Sequence, residues 1–300
     1  MNKSGLYAFL ALFLWGIHGP AGRYLAQNDV DMFFVFSARL WIGTLVFFIY
    51  LLIKKNNHIH WLDNWKKVLL ISGIGIIANT ILFHLTLIYL PGTLVMILEN
   101  LSPIFVLFAS VIWLKIKPTF TEILALLLSF SGIVLIVLGK GSFPDLSEGF
   151  YFGIFLGILT GLTFGAYIFF SADLVKPLKD EPIRIIRFLF KIFLISSILC
   201  TPFLFISKRL PSQSLQWFWL IEMGVFQSGL AYLFWNYALV HIKANTASIL
   251  FLLTILFSTV NEIVFMNLQL NRYLISGGLL ISVAGYWITT SLKRTKLKNQ

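Results

Sequence analysis

Residues 32–53 read MFFVFSARLWIGTLVFFIYLLI, an unbroken apolar stretch with a single charge at Arg39. A helix that crosses a bilayer needs roughly 20 mainly apolar residues, and this stretch has that length. Backbone groups in lipid must be paired within the protein, which leaves helices or closed barrels. Barrel strands alternate apolar and polar residues. This run does not alternate, so it reads as a transmembrane helix. The same pattern extends outward in both directions. Spans are expected near 5–25, 32–53, 68–90, 91–114, 119–139, 149–172, 183–206, 217–240, 244–266 and 273–292.

The composition agrees. The chain has 300 residues, 58% hydrophobic and only 12% charged, with a mean hydropathy of +0.88. Soluble domains carry about 25% charged residues. Connections are short, which leaves no room for a second soluble domain. The first span carries Gly16, Pro20 and Arg23 and is read as an uncleaved helix, not a signal peptide. Cys200 is the one cysteine, so no intramolecular disulfide can form.

A net charge of +11 raises the question of a nucleic-acid partner, and its placement answers it. With the N-terminus inside, sixteen of the 23 Lys and Arg fall in inner segments. Five (Arg23, Lys140, Lys208, Arg209 and Arg272) fall outside, and Arg39 and Lys191 lie within spans. That is the positive-inside pattern. The expectation is an integral protein of a bacterial cytoplasmic membrane with both termini cytoplasmic and no nucleic-acid partner.

Ten spans divide into five and five. Leu14-Trp15-Gly16 lies over Thr163-Phe164-Gly165, and Phe36-x-x-Arg39 over Phe188-x-x-Lys191. Ile71-Ser72-Gly73 lies over Glu222-Met223-Gly224, and Gly132 over Gly285. The near-constant offset predicts a duplication, with repeats at 1–144 and 145–300 and a boundary near Lys140–Glu148. Five being odd, the second copy crosses the membrane in the opposite sense. Inverted repeats around a midplane site are the plan of many secondary transporters. Gly149, Gly153, Gly157, Gly161 and Gly165 mark one face of span 6 for close helix packing.

These motifs together resemble a known family. Span 1 has Leu14-Trp15-Gly16-x-x-x-Pro20, span 2 has Arg39, and span 4 has Leu98-x-x-Leu101-x-Pro103. The second half has Gly224, then Ala231-Tyr232-x-x-x-Asn236-x-Ala238-Leu239, then Gly278 and Gly285. The chain resembles EamA-type members of the drug/metabolite transporter superfamily. The resemblance implies an all-α polytopic fold of ten helices in two inverted five-helix repeats around a central cavity. It implies transport of small metabolites, often amino-acid export. It further implies a cavity lined by helices 1, 3, 4, 6, 8 and 9, with 5 and 10 peripheral. Two family features are missing: a Glu near Ile116 and Leu268, and a proline at Thr254, the counterpart of Pro103.

Charges in the hydrocarbon core cost about 2.5–3.5 kcal/mol each on insertion scales, so Arg39, Glu99 and Lys191 need partners or a purpose. His18, Arg39, His84 and Glu99 are expected at one depth, roughly 9–12 Å below the outer boundary. An Arg39–Glu99 ion pair is expected there. Two readings of it stand: a substrate- or proton-binding pair, or a brace for the first repeat. Lys191 is expected to snorkel to the inner surface. Asn79 and Asn100 are further candidates in the first half. Tyr167, Gln227, Tyr232, Trp235 and Asn236 are candidates in the second, with Trp15 completing an aromatic wall. Glu222 and Glu262 are expected near the outer surface and solvated.

Enzyme signatures are poor. Gly132 to Gly139-Lys140 has the wrong spacing for a phosphate loop, and His58-x-His60 falls short of a metal site. The chain has no nucleotide-binding domain. The expectation is therefore a carrier of small molecules without cofactor, metal or enzymatic activity. Protons are a candidate coupling ion, and no oligomer is required. Import of a quaternary amine or nucleotide-like solute, or a membrane enzyme or scaffold, are the alternatives.

Overall fold

The computed structural model describes residues 3–54, 64–140, 149–178, 181–265 and 268–298. They form ten helical rods: α1 Lys3–Gln27, α2 Met32–Ile53, α3 Trp65–Tyr89, α4 92–113, α5 Phe120–Lys140, α6 Phe150–Leu178, α7 Pro182–Ile206, α8 214–239, α9 244–265 and α10 Arg272–Lys298. No strand occurs among the described residues. Nine of these rods are long and apolar enough to cross a membrane. The other, α8, is as long but is diluted by Gln216, Glu222, Gln227 and Asn236. His58, His60 and the expected boundary at 141–148 lie outside the described residues.

The duplication is visible in the irregularities. α3 becomes π-helical over Ile71–Ala78 and α8 over Met223–Ala231, starting at 71 and 223 and so 152 residues apart. α4 breaks after Glu99 and α9 after Phe251, again 152 residues apart. The two breaks have different chemistry. Pro103 has no amide hydrogen to give the Glu99 carbonyl. In α9 the Thr254 hydroxyl donates to the Phe251 carbonyl at 2.7 Å. The threonine thus accompanies the break where the family pattern has proline. Asn100 and Thr254 join the two breaks across the bundle at 3.3 Å.

Packing follows the same two-fold plan. α1 packs on α8 and α9, while α6 packs on α3 and α4. α2 pairs with α7, and α5 with α10. Trp15 donates to the Gln227 carbonyl while Tyr7 stacks near Phe234, so α1 and α8 run antiparallel. Gly75 meets Tyr167 and Gly153 meets Tyr89 and Leu90, which gives α3 and α6 the same relation. The result is two inverted five-helix repeats around a central cavity.

Glycines set the closest approaches. Gly157 and Gly161 of α6 face Leu98 of α4, and Gly165 faces the Ser102 carbonyl, so the expected packing stripe forms. At the α5–α10 crossing, Gly132 opposes Gly277. Gly285 packs on Leu253 of α9 instead. The outer faces carry Phe9, Phe48, Trp113, Tyr151, Phe205 and Tyr286, all well exposed, as suits a surface that meets lipid and its interface.

Candidate functional site

Between the repeats lies a small enclosed cavity lined by Trp15, His18, Arg39, Asn79, Thr80, Phe83, Met96, Glu99, Phe164, Tyr232, Phe251 and Thr254. The helices that form it are α1, α2, α3, α4, α6, α8 and α9. This is the set the resemblance implies, with α2 added through Arg39; α5 and α10 are peripheral. Equivalent positions of the two repeats face each other there. Asn79 and Tyr232 each follow a π segment, and Glu99 and Phe251 each precede a break. The first repeat contributes the ionisable groups His18, Arg39 and Glu99, and the second contributes Phe164, Tyr232, Phe251 and Thr254.

Arg39 is 4% exposed. Its Nε donates to Ser228 Oγ at 2.9 Å, and Nη1 bonds His18 Nε2. A guanidinium only donates, so His18 Nε2 accepts and the His18 proton sits on Nδ1. The His18 ring stacks on Phe83 at 4.2 Å. His84 Nδ1 bonds the Thr80 carbonyl at 2.7 Å and therefore carries its proton there. Its Nε2 has no partner. The His84 ring lies 6.0 Å from His18.

Glu99 is 7% exposed and accepts from Asn79 Nδ2 at 3.3 Å. The same amide reaches the Thr160 carbonyl at 3.1 Å. Among the described residues no ion pair joins Arg39 to Glu99. The expected direct pair is corrected: the two charges share one cavity, but His18 and Ser228 occupy the guanidinium and Asn79 occupies the carboxylate. The arrangement leaves a guanidinium and a carboxyl group on the lining of one cavity without a direct bond between them.

The remaining candidates surround this core. Trp15 packs edge-on against Phe164, Tyr232, Trp235 and Phe251, with centroids 5.2 to 5.7 Å apart. His84, Trp235, Tyr167, Asn236, Asn100 and Gln227 do not line the cavity. Asn236 donates to Tyr167 Oη at 2.6 Å beneath the aromatic layer. Asn100 holds Thr254, and Gln227 holds Glu222 at 2.7 Å. Glu222 and Glu262 are 9% and 8% exposed, so both are buried, not solvated. The helix spacing put them near an end, but neighbouring helices cover them. Lys191 is 7% exposed and lines a separate pocket. Sequence reading missed Thr80, Phe83, Met96, Phe164, Phe251 and Thr254. Only Thr254 carried a signal, as the odd residue opposite Pro103.

The cavity is about 20 Å³, room for one water. A pocket of about 610 Å³ opens at the face where α1 ends and α2 begins, lined by Arg23, Asp29, Asp31, Leu87, Lys208 and Arg209 among others. We call this the A face. A pocket of about 280 Å³, lined by Asn64, Leu174, Arg184, Arg187, Phe188 and Lys191, lies where α6 ends and α7 begins, at the B face. Neither pocket shares a lining residue with the cavity. The structure is thus contracted around a centre that lies between two vestibules.

The EamA-like transporter family matches residues 2–138 and 151–291, once per repeat. An uncharacterized transporter of Archaeoglobus fulgidus is 26% identical over 254 residues, 84% of this chain and 86% of that one. A biotin transporter of Escherichia coli (strain K12) is 22% identical over 232 residues, 76% of this chain and 73% of that one. A solved crystal structure shares the fold with a TM-score of 0.77 at 16% identity, covering 97% of this chain and 98% of that one. On the match to both halves, together with the ten-helix inverted repeat, the chain belongs to the EamA-like transporter family and is an integral membrane transporter for small molecules.

Proposed function

We propose that the chain is a secondary carrier that exports amino acids or related small zwitterions across a bacterial cytoplasmic membrane. It works by alternating access, with the A face outside and both termini in the cytoplasm. The observation that carries this reading is Arg39 and Glu99 in one enclosed cavity, unpaired with each other. An amino acid offers the complementary pair, its carboxylate to Arg39 and its ammonium to Glu99. The rings of Trp15, Phe164, Tyr232 and Phe251 suit an apolar side chain. The repeats, taken as 1–144 and 145–300, would rock against each other to expand the cavity toward one vestibule at a time. The charge distribution supports the orientation, and export follows the family resemblance. Nothing in this cycle requires an oligomer or a cofactor.

The biotin-transporter relatives favour a second reading, transport of a monocarboxylate. Arg39 would hold that carboxylate and Glu99 would be dispensable. A thermal-shift screen of the purified chain against a metabolite library separates the two. Stabilisation by amino acids that is lost in Glu99→Gln supports the zwitterion site. Stabilisation by monocarboxylates that survives Glu99→Gln supports the second reading. Transport of the hit is then measured by counterflow in proteoliposomes.

A further inference from the structure

Glu222 is a buried carboxyl that does not line the cavity. Glu222 lies eight residues into α8, about 12 Å along the helix from its A-face end. Its Oε2 accepts from Gln227 Nε2 at 2.7 Å. Its Oε1 has no hydrogen-bond partner, and neither has Gln227 Oε1. Buried oxygens without donors are uncommon in folded proteins, and here two sit in one side-chain pair.

The pair depends on the irregular helix. Five residues along an α-helix turn the side chain about 140° away. In a π turn the bond closes from i to i+5, so such residues return toward one face. α8 is π-helical from Met223 to Ala231, which brings Gln227 back to Glu222. The π turn itself does not need them. Counting back 152 residues gives Leu70 and Gly75 in α3, whose π segment ISGIGIIA has no titratable residue.

A carboxamide holds a buried carboxylate less tightly than a cation would. It has a different use. Its NH2 donates to a carboxylate, and after a half rotation its C=O accepts from a carboxylic acid. Gln227 can therefore satisfy Glu222 in either protonation state. The helices packed on this part of α8 bring His18 and Arg23 from α1 and Asp31 and Arg39 from α2. α7 carries Lys191, at the other vestibule, and α8 itself carries Tyr232. Arg39 meets this stretch of α8 through Ser228, the residue after Gln227, and lines the cavity with Glu99.

We propose that Glu222 is a proton-carrying site of the transport cycle, held by Gln227 across the π turn of α8. The proposal rests on the carrier reading above and adds the coupling ion. When the carrier opens to the A face, hydronium gives its proton to a Glu222 carboxylate oxygen and leaves as water. Glu222 becomes neutral, and Gln227 turns its carbonyl to the new O–H. When the carrier opens to the B face, the proton passes to water there and the carboxylate is restored. One proton crosses per cycle, opposite to an exported substrate.

The test is infrared difference spectroscopy of the full-length purified chain across a pH jump, with no substrate added. Wild type is expected to show a protonated-carboxyl C=O band that titrates. Glu222→Gln is expected to lose a component of that band, and Glu99→Gln to retain it. Gln227→Leu is expected to keep the component but shift its frequency and midpoint. An unchanged band in monodisperse Glu222→Gln overturns the proposal. If that variant does not fold, an unmoved band in Gln227→Leu overturns it. In proteoliposomes, a mixture of amino acids serves as probe, under an imposed pH gradient and at equal pH. Glu222→Gln is expected to lose gradient-driven accumulation relative to exchange, whereas Glu99→Gln loses both. An unchanged ratio in Glu222→Gln also counts against proton coupling there. Wild-type vesicles that move no amino acid refute the substrate reading, while the infrared result still decides Glu222.

Discussion

The π segments of α3 and α8 occupy equivalent places in the two repeats but have different surroundings. In α3, Gly73 faces open space and Asn79 leads out of the π turn to hold Glu99. In α8, Gly224 is pressed against the Ile42 side chain, Ser228 receives Arg39, and Gln227 holds Glu222. Duplication kept the backbone irregularity and let the side chains diverge. The lesson is that the two repeats share a backbone feature while the polar side chains around it differ. Each half carries a buried carboxyl outside any ion pair among the described residues: Glu99 in the first and Glu222 in the second.

The largest effect is expected where the two halves meet at Arg39. Arg39→Met leaves Ser228 Oγ and His18 Nε2 without their donor, and buried groups left unpaired cost about 1–3 kcal/mol each. Loss of counterflow and a clear drop in detergent unfolding temperature are expected. Wild-type stability would mean that the α2–α8 contact is not held by this residue.

Gly224→Ala drives a methyl into Ile42 and is expected to cost about 1–3 kcal/mol by overpacking, read from thermal unfolding. Tyr167→Phe removes the partner of Asn236, which keeps its bond to the Tyr232 carbonyl at 2.7 Å. A loss of about 1 kcal/mol is expected, with counterflow retained, because neither residue lines the cavity. Gly73→Ala meets nothing within 4 Å and is expected to be neutral or to stabilise by up to about 1 kcal/mol. Equal effects of Gly73→Ala and Gly224→Ala would break the contrast between the two π segments.

Much of the cavity was legible beforehand. Trp15, His18, Arg39, Asn79, Glu99 and Tyr232 all line it, because a polar or aromatic residue deep in an apolar span has few places to go. Phe164 and Phe251 were not legible, since one phenylalanine in a membrane helix looks like another until the bundle is assembled. The partners of Arg39 were not legible either. Depth along a helix fixes the level of a group but not its rotation about the axis, so Glu99 at the right level still turned to Asn79. The burial of Glu222 and Glu262 escaped for a related reason: position near a helix end says nothing about what neighbouring helices cover.

By itself the sequence determined the ten spans, the five-plus-five division and its inversion. Those follow from hydrophobic length, charge placement and the parity of the crossings, each a local or additive property. Only the tertiary structure decided which polar groups meet, that α8 turns π-helical just after Glu222, and that the centre is contracted to the size of a water. These depend on the angular facing of helices far apart in the chain, which packing sets and one-dimensional spacing does not encode.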